Sequence, residues 1–253
     1  METLQKKLLL LKDLGCSGIK VSFEDEGALY NEIITMRNLT TMVGLELTVK
    51  IGGCEAKRDI IDCIDLNCDS IVAPMVESKF ALNKFLVSLD SCNYSKKRGF
   101  NLETLHSFNN LEELSQLFEK LDFITLGRHD FVKSLSENSE YVDSEQIYEM
   151  AEKLFSFTKN NYKNTKCYIG GFLSKNSINF IKKLIEKNLL DAFETRYIIF
   201  NVQNLKDVDL EKAVELAQEF ELEWLNLIRN RYLKQANKDL KRIELIKNKM
   251  NNL

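Results

Sequence analysis

The chain has 253 residues, 35 basic and 38 acidic, for a formal charge of −3. That length suits one β/α-barrel, which runs to roughly 250 residues as a single domain. The near-balanced charge gives no support for nucleic acid or an anionic membrane as the main partner, because both select a basic surface.

No apolar run approaches the ~20 residues needed to span a bilayer. The leading segment, charged at Lys6 and Lys7 and again at Lys12 and Asp13, is not expected to be a signal peptide. Six cysteines, at 16, 54, 63, 68, 92 and 167, show neither CxxC spacing nor a histidine at zinc-finger distance. They are expected to be reduced, mostly buried thiols of a cytoplasmic protein.

In chain order, residues 3–14 read as a helix with Leu4, Leu8 and Leu11 on its stripe, stopped by Gly15. Strand segments follow at 18–23, 45–51 and 70–75. Helices are expected at about 28–38, 55–66 and 79–89. Further strands are read at 99–102, 123–126, 167–172 and 192–200, with helices at 111–120, 144–160 and 177–186 and a loop with short helical turns at 131–144. The alternation points to parallel βαβ units and a TIM-type (β/α)8 barrel. Only seven strands are countable, so the first strand is expected to be altered or missing, its place before residue 15 reading as helix. A barrel over 1–205 and a helical extension over 206–253 are therefore expected. The extension packs on the barrel or forms an oligomer contact.

Working residues of such a barrel sit at the C-terminal ends of its strands. Those places hold Glu24, Asp25 and Glu26, then Lys50, then Glu77, then Asn101 and Glu103. Next come Arg128, His129 and Asp130, then Gly170 and Gly171, with Glu194 and Arg196 inside the last strand. Glu103 and Asp130 follow consecutive strands, so their carboxylates can converge on a hard divalent cation. Such an ion would polarise a carbonyl and stabilise an enolate beside it. Otherwise the two are surface acids in βα-loops. His129 is the candidate acid/base, since an imidazole of pKa about 6.5 suits proton transfer; its plainer role is to shape the turn before Asp130. His106 is expected at the surface or at a helix cap. Gly170 and Gly171 either present backbone N–H groups to an anion or make a tight turn.

Gly99-Phe-Asn-Leu-Glu-Thr104, Gly127-Arg-His-Asp-Phe131 and Val72-Ala-Pro-Met-Val-Glu77, in that spacing, resemble motifs of the HpcH/HpaI aldolase and citrate lyase β-subunit family, over roughly residues 16–200. The resemblance implies an enolate-handling barrel in which Glu103 and Asp130 hold Mg²⁺ or Mn²⁺. Lys50 matches a family Arg that binds substrate carboxylate; Lys keeps the charge and loses the bidentate fork, leaving Arg128 or Arg196 as replacement guanidinium. Glu24-Asp-Glu-Gly27 matches the family's Asp-x-Glu-His, so Gly27 stands where a proton-transferring His is usual.

The expected function is a metal-dependent carbon–carbon lyase or aldolase. Asn101, Lys50 and Arg128, with Gly170, Gly171 and Arg196, hold a 2-oxo acid or acyl substrate, and His129, Glu24 or a metal-bound water moves the proton. A small aldehyde is the expected second substrate. No nucleic acid or membrane partner is expected, and the chain is expected to be a homo-oligomer. The alternative is a family member with altered chemistry, kept as a binding or assembly module.

Overall fold

The computed structural model describes residues 2–24, 26–205 and 207–251. Asp25, one of three acids expected after the first strand, lies outside them, as does Lys206 at the expected start of the extension.

Eight strands close into one barrel: β1 (Cys16–Ser22), β2 (Glu46–Lys50), β3 (Ser70–Ala73), β4 (Lys97–Leu102), β5 (Phe123–Gly127), β6 (Lys166–Gly170), β7 (Ala192–Glu194) and β8 (Ile198–Asn201). Around them run α1 (Glu2–Asp13), α2 (Tyr30–Val43), α3 (Lys57–Asp65), α4 (Lys79–Ser91), the short α5 (Leu105–Asn109) and α6 (Leu111–Ser115), α7 (Arg128–Ser134), α8 (Glu145–Asn161), α9 (Ile178–Glu186) and α10 (Leu210–Asn251). The architecture is the expected TIM-type barrel with a helical extension.

The strand missing from the sequence reading lies at the other end of the chain. α1 is a helix, with Leu4, Leu8 and Leu11 buried. The segment read as one strand over 192–200 is instead a hairpin. Thr195 makes its turn: its N–H donates to the Ile198 carbonyl at 2.9 Å, and its Oγ1 accepts from the Ile198 N–H at 3.1 Å. β8 then runs back antiparallel to β7 and closes on β1, also antiparallel. The other neighbouring pairs are parallel. Apolar Ala192-Phe193 and Tyr197–Phe200 read as one long strand because only Glu194-Thr-Arg196 interrupts them.

Strands covered on both faces should be apolar throughout, and β3 and β5 are buried at every position. Phe193 of β7 stacks on Phe200 of β8 at 5.0 Å, tying the hairpin together. The segment 131–144, expected as a loop with short helical turns, holds the end of α7 and a 3-10 turn at Ser139–Asp143; α7 begins at Arg128, so Arg128, His129 and Asp130 form the first turn of a helix. All six cysteines are free; Cys54 and Cys92 are half-buried and the rest buried. Among the described residues, no helix is long and apolar enough to cross a membrane.

Candidate active site

A cavity of about 470 Å³ opens at the C-terminal ends of the strands. Of the residues singled out from sequence, Glu26, Lys50, Asn101, Glu103, His129, Asp130, Gly171, Glu194 and Arg196 line it. Arg128, Gly170 and Glu24 do not.

Glu103 is buried, and each of its oxygens accepts one hydrogen bond. Oε1 takes the Met75 backbone N–H at 2.7 Å; Oε2 takes Asn101 Nδ2 at 3.0 Å. Met75 reaches it because Pro74 ends β3 and Met75 itself adopts a left-handed φ of 51°. Burial pushes the Glu103 carboxyl above the usual carboxylate range. The Lys50 charge and the two hydrogen bonds pull it down, and the Asp130 charge pushes it up. Gly127 leaves the room Glu103 needs, since a Cβ there would sit 2.8 Å from Oε2. Gly171, at φ +83°, lets the end of β6 pass over α7, where a Cβ would come within 2.4 Å of the His129 nitrogen.

Asp130 stands half-exposed on α7, 3.5 Å from Lys133. His129 stacks on Phe172 at 5.6 Å, and its Nδ1 lies 3.4 Å from Ser139 Oγ. His106 is at the surface, beside Asn110.

Arg128 needs correction. Its guanidinium is fully buried and turned into the wall. Nε donates to the Gly170 carbonyl at 3.1 Å, Nη1 pairs with Asp143 at 2.5 Å, and the group lies 5.0 Å over the Phe180 ring. Its side chain thus lies among Val142, Asp143, Gly170, Ser177 and Phe180 and does not line the cavity. Gly170 likewise packs against Glu194, where a Cβ would meet Cγ at 2.8 Å. Glu24 is exposed and forms a 3.0 Å ion pair with Lys50, which lines the cavity. Glu194 pairs with Lys20, and Arg196 with Glu26 at 3.4 Å.

Glu26 is the group whose role sequence reasoning passed over. Its side chain is 8% exposed, lines the cavity, and accepts the Ser22 N–H at 3.1 Å. Burial raises its pKa to about 7, against the opposing charges of Arg196, Lys20 and Lys50. In the sequence it was one of three consecutive acids; only the fold sets it apart from exposed Glu24.

The donor set suits a hard divalent cation. Glu103 and Asp130 supply anionic oxygens on the same cavity, and the like charge of Asp130 already disfavours ionised Glu103, which a bound cation would relieve. Buried Asn101 Oδ1 has no hydrogen-bond partner among the described residues. Among the described residues no three His, Cys, Asp or Glu side chains converge. Two carboxylates plus water or substrate oxygens fits Mg²⁺, which is seldom caged by protein alone.

No family model and no curated protein matches the sequence. Structure comparison does find matches. An HpcH/HpaI aldolase from Desulfitobacterium hafniense DCB-2 superposes with a TM-score of 0.62 at 10% identity, over 90% of this chain and 89% of that one. The chain has the HpcH/HpaI aldolase fold. Two further structures with this aldolase fold agree. One is an HpcH/HpaI aldolase/citrate lyase family protein from Burkholderia cenocepacia J2315, with a TM-score of 0.62 at 9% identity, covering 87% of this chain and 90% of that one. The other is the citrate synthase SbnG, with a TM-score of 0.57 at 13% identity, covering 90% and 98%.

Proposed function

We propose that the chain is a divalent-metal-dependent carbon–carbon lyase or aldolase that acts on a 2-oxo acid, with Glu103 and Asp130 holding Mg²⁺ or Mn²⁺. The observation that carries this reading is the Glu103–Asp130 pair on one cavity, on a fold shared with aldolases. When bound, the ion supplies electrophilic stabilisation of negative charge developing on substrate oxygens.

The chain's own residues supply the rest. Lys50 and Arg196 bring positive charge to the cavity, where a substrate carboxylate would bind. Asn101 orients Glu103 through Nδ2 and keeps Oδ1 available to a donor. Glu26, whose pKa burial raises to about 7, and the imidazole of His129 both line the cavity and are positioned to hold and move a proton. In the cleavage direction, one takes the hydroxyl proton as the carbon–carbon bond breaks. The electron pair remains on the 2-oxo acid fragment, and a proton then returns to its carbon. His129, in the first turn of α7 after β5, and Glu26, in the loop after β1, reach the cavity from different strands of the barrel. The aldehyde half has Phe172 beside His129 as its apolar contact.

Thermal unfolding with Mg²⁺, Mn²⁺ and EDTA tests the metal half of this proposal. A ligand that binds only the folded state raises the midpoint, and Glu103→Gln should abolish that rise. The absence of a metal response at every concentration overturns the reading. Exchange of pyruvate methyl protons in D₂O tests the chemistry, and metal binding without exchange turns the proposal toward another acid or toward the binding-module alternative.

A further inference from the structure

The 42-residue helix α10 has two separate apolar faces, and the barrel uses one of them. Written in heptads with Leu233 and Leu240 at a, the side chains that bury against the barrel, among them Ala213, Val214, Ala217, Phe220 and Trp224, fall at b, c and f. The exposed large apolar side chains of the helix, Leu245 excepted, fall at a, d and g: Leu233, Leu240, Ile243, Ile246 and Met250 carry the stripe to the C-terminal end. The helix leaves the barrel on the mouth side, where Gln218 and Glu221 line the cavity and Tyr232 donates to Glu32 at 2.7 Å. Beyond that bond every described residue of the helix is exposed.

We infer that residues 232–250 pair antiparallel with the same segment of a second copy of this chain. A stripe that keeps a seven-residue repeat matches another helix of the same pitch, whereas a lipid surface or a flat protein face imposes no such repeat. The charges select both partner and direction. Arg231, Lys234, Lys238, Lys241, Arg242 and Lys249 fall at b, c and f, pointing away from a partner on the a/d seam. The segment's two acids, Asp239 and Glu244, flank the stripe at g and e. An anionic membrane would want cations at that boundary. In a parallel pair, Asp239 would face Glu244 of the second copy, and Lys247, at a, would face its own equivalent. Set antiparallel with Leu240 over Ile243, Leu233 meets Met250 and Lys247 meets Ala236, whose small side chain leaves room for the lysine stem.

Sedimentation velocity on the full chain tests the pairing. The wild type should sediment as a dimer or a higher even oligomer, and Leu240→Asp with Ile243→Asp should halve its mass while the unfolding midpoint of the barrel stays unchanged, since both positions are exposed. A wild-type monomer at all concentrations overturns the inference, as does a double variant of unchanged mass. A monomer that co-sediments with phosphatidylglycerol vesicles gives the stripe to lipid instead. For direction, Leu233→Cys and Met250→Cys are made separately with Cys54 and Cys92 replaced by serine. Oxidising a mixture of the two should yield a covalent dimer that neither forms alone; a dimer from Leu233→Cys alone overturns the antiparallel alignment.

Discussion

The backbone N–H of Met75 donates to Glu103 Oε1 at 2.7 Å from a residue held at a φ of 51°. A left-handed methionine costs about 1 kcal/mol or more, and here that strain aims a donor at a buried carboxylate. Met75→Val should lower stability by about 1–2 kcal/mol, because a β-branched residue resists this conformation, and should also blunt the midpoint rise given by Mg²⁺ or Mn²⁺. Met75→Gly keeps the N–H and relieves the strain, so it should retain the metal response. Chemical denaturation with and without metal separates the two outcomes.

Gly127→Ala tests the other side of the same carboxylate. Its Cβ would meet Glu103 Oε2 at 2.8 Å and the Glu103 Cβ at 2.9 Å. Glu103 must move or the strand end must shift, at about 1–3 kcal/mol for an overpacked site. The metal response should fall more than overall stability does, measured as the midpoint shift at saturating Mn²⁺ against the shift without metal.

Glu26 predicts a pH dependence. Its folded pKa, about 7, lies above its ordinary 4.5, so between those values the folded state holds more protons than the unfolded state. Stability contributed by this group is therefore full below about pH 4.5, falls as pH rises to about 7, and is level above. The complete loss corresponds to on the order of 3 kcal/mol. Glu26→Gln should remove that slope and be more stable than the wild type at pH 8. In the D₂O exchange assay it should also lose a pH-rate limb near 7. Parallel stability curves for wild type and variant from pH 5 to 8 would reject the assignment.

How much of this was legible in the sequence differs between scaffold and site. The strands from β1 to β6 were readable because covered faces demand short, mostly apolar runs, as in Ile71–Ala73 and Phe123–Leu126 with its single Thr125. The hairpin of β7 and β8 was not, because its turn is three residues long and carries neither Gly nor Pro. Glu103 and Asp130 were readable from their places after consecutive strands. Arg128 was misread because its neighbours His129 and Asp130 do face the cavity; a residue one step along a helix turns about 100° away. The pairing of Glu26 with Arg196 joins residues 170 positions apart and had no local signal.

Arg128 gives a sharp check on that correction. Arg128→Lys keeps a positive charge but cannot serve Asp143, the Gly170 carbonyl and the Phe180 face together. Leaving buried partners unmatched costs about 2–4 kcal/mol. The variant should unfold earlier yet, while folded, keep the wild-type midpoint rise with Mn²⁺. A variant of full stability that loses the metal response or pyruvate exchange would return Arg128 to the site.

β7 and β1 flank β8, and Lys20 of β1 reaches across its end to Glu194 of β7, both nearly buried. Lys20→Met leaves the Glu194 carboxylate buried with its partner gone, which costs about 3–5 kcal/mol. Adding Glu194→Gln removes the stranded charge, so the double variant should recover most of that loss. A double-mutant cycle by urea denaturation gives the coupling. Near-additive losses would mean that the pair does not brace the hairpin, and that the Phe193–Phe200 stack and the Thr195 turn hold β8 without it.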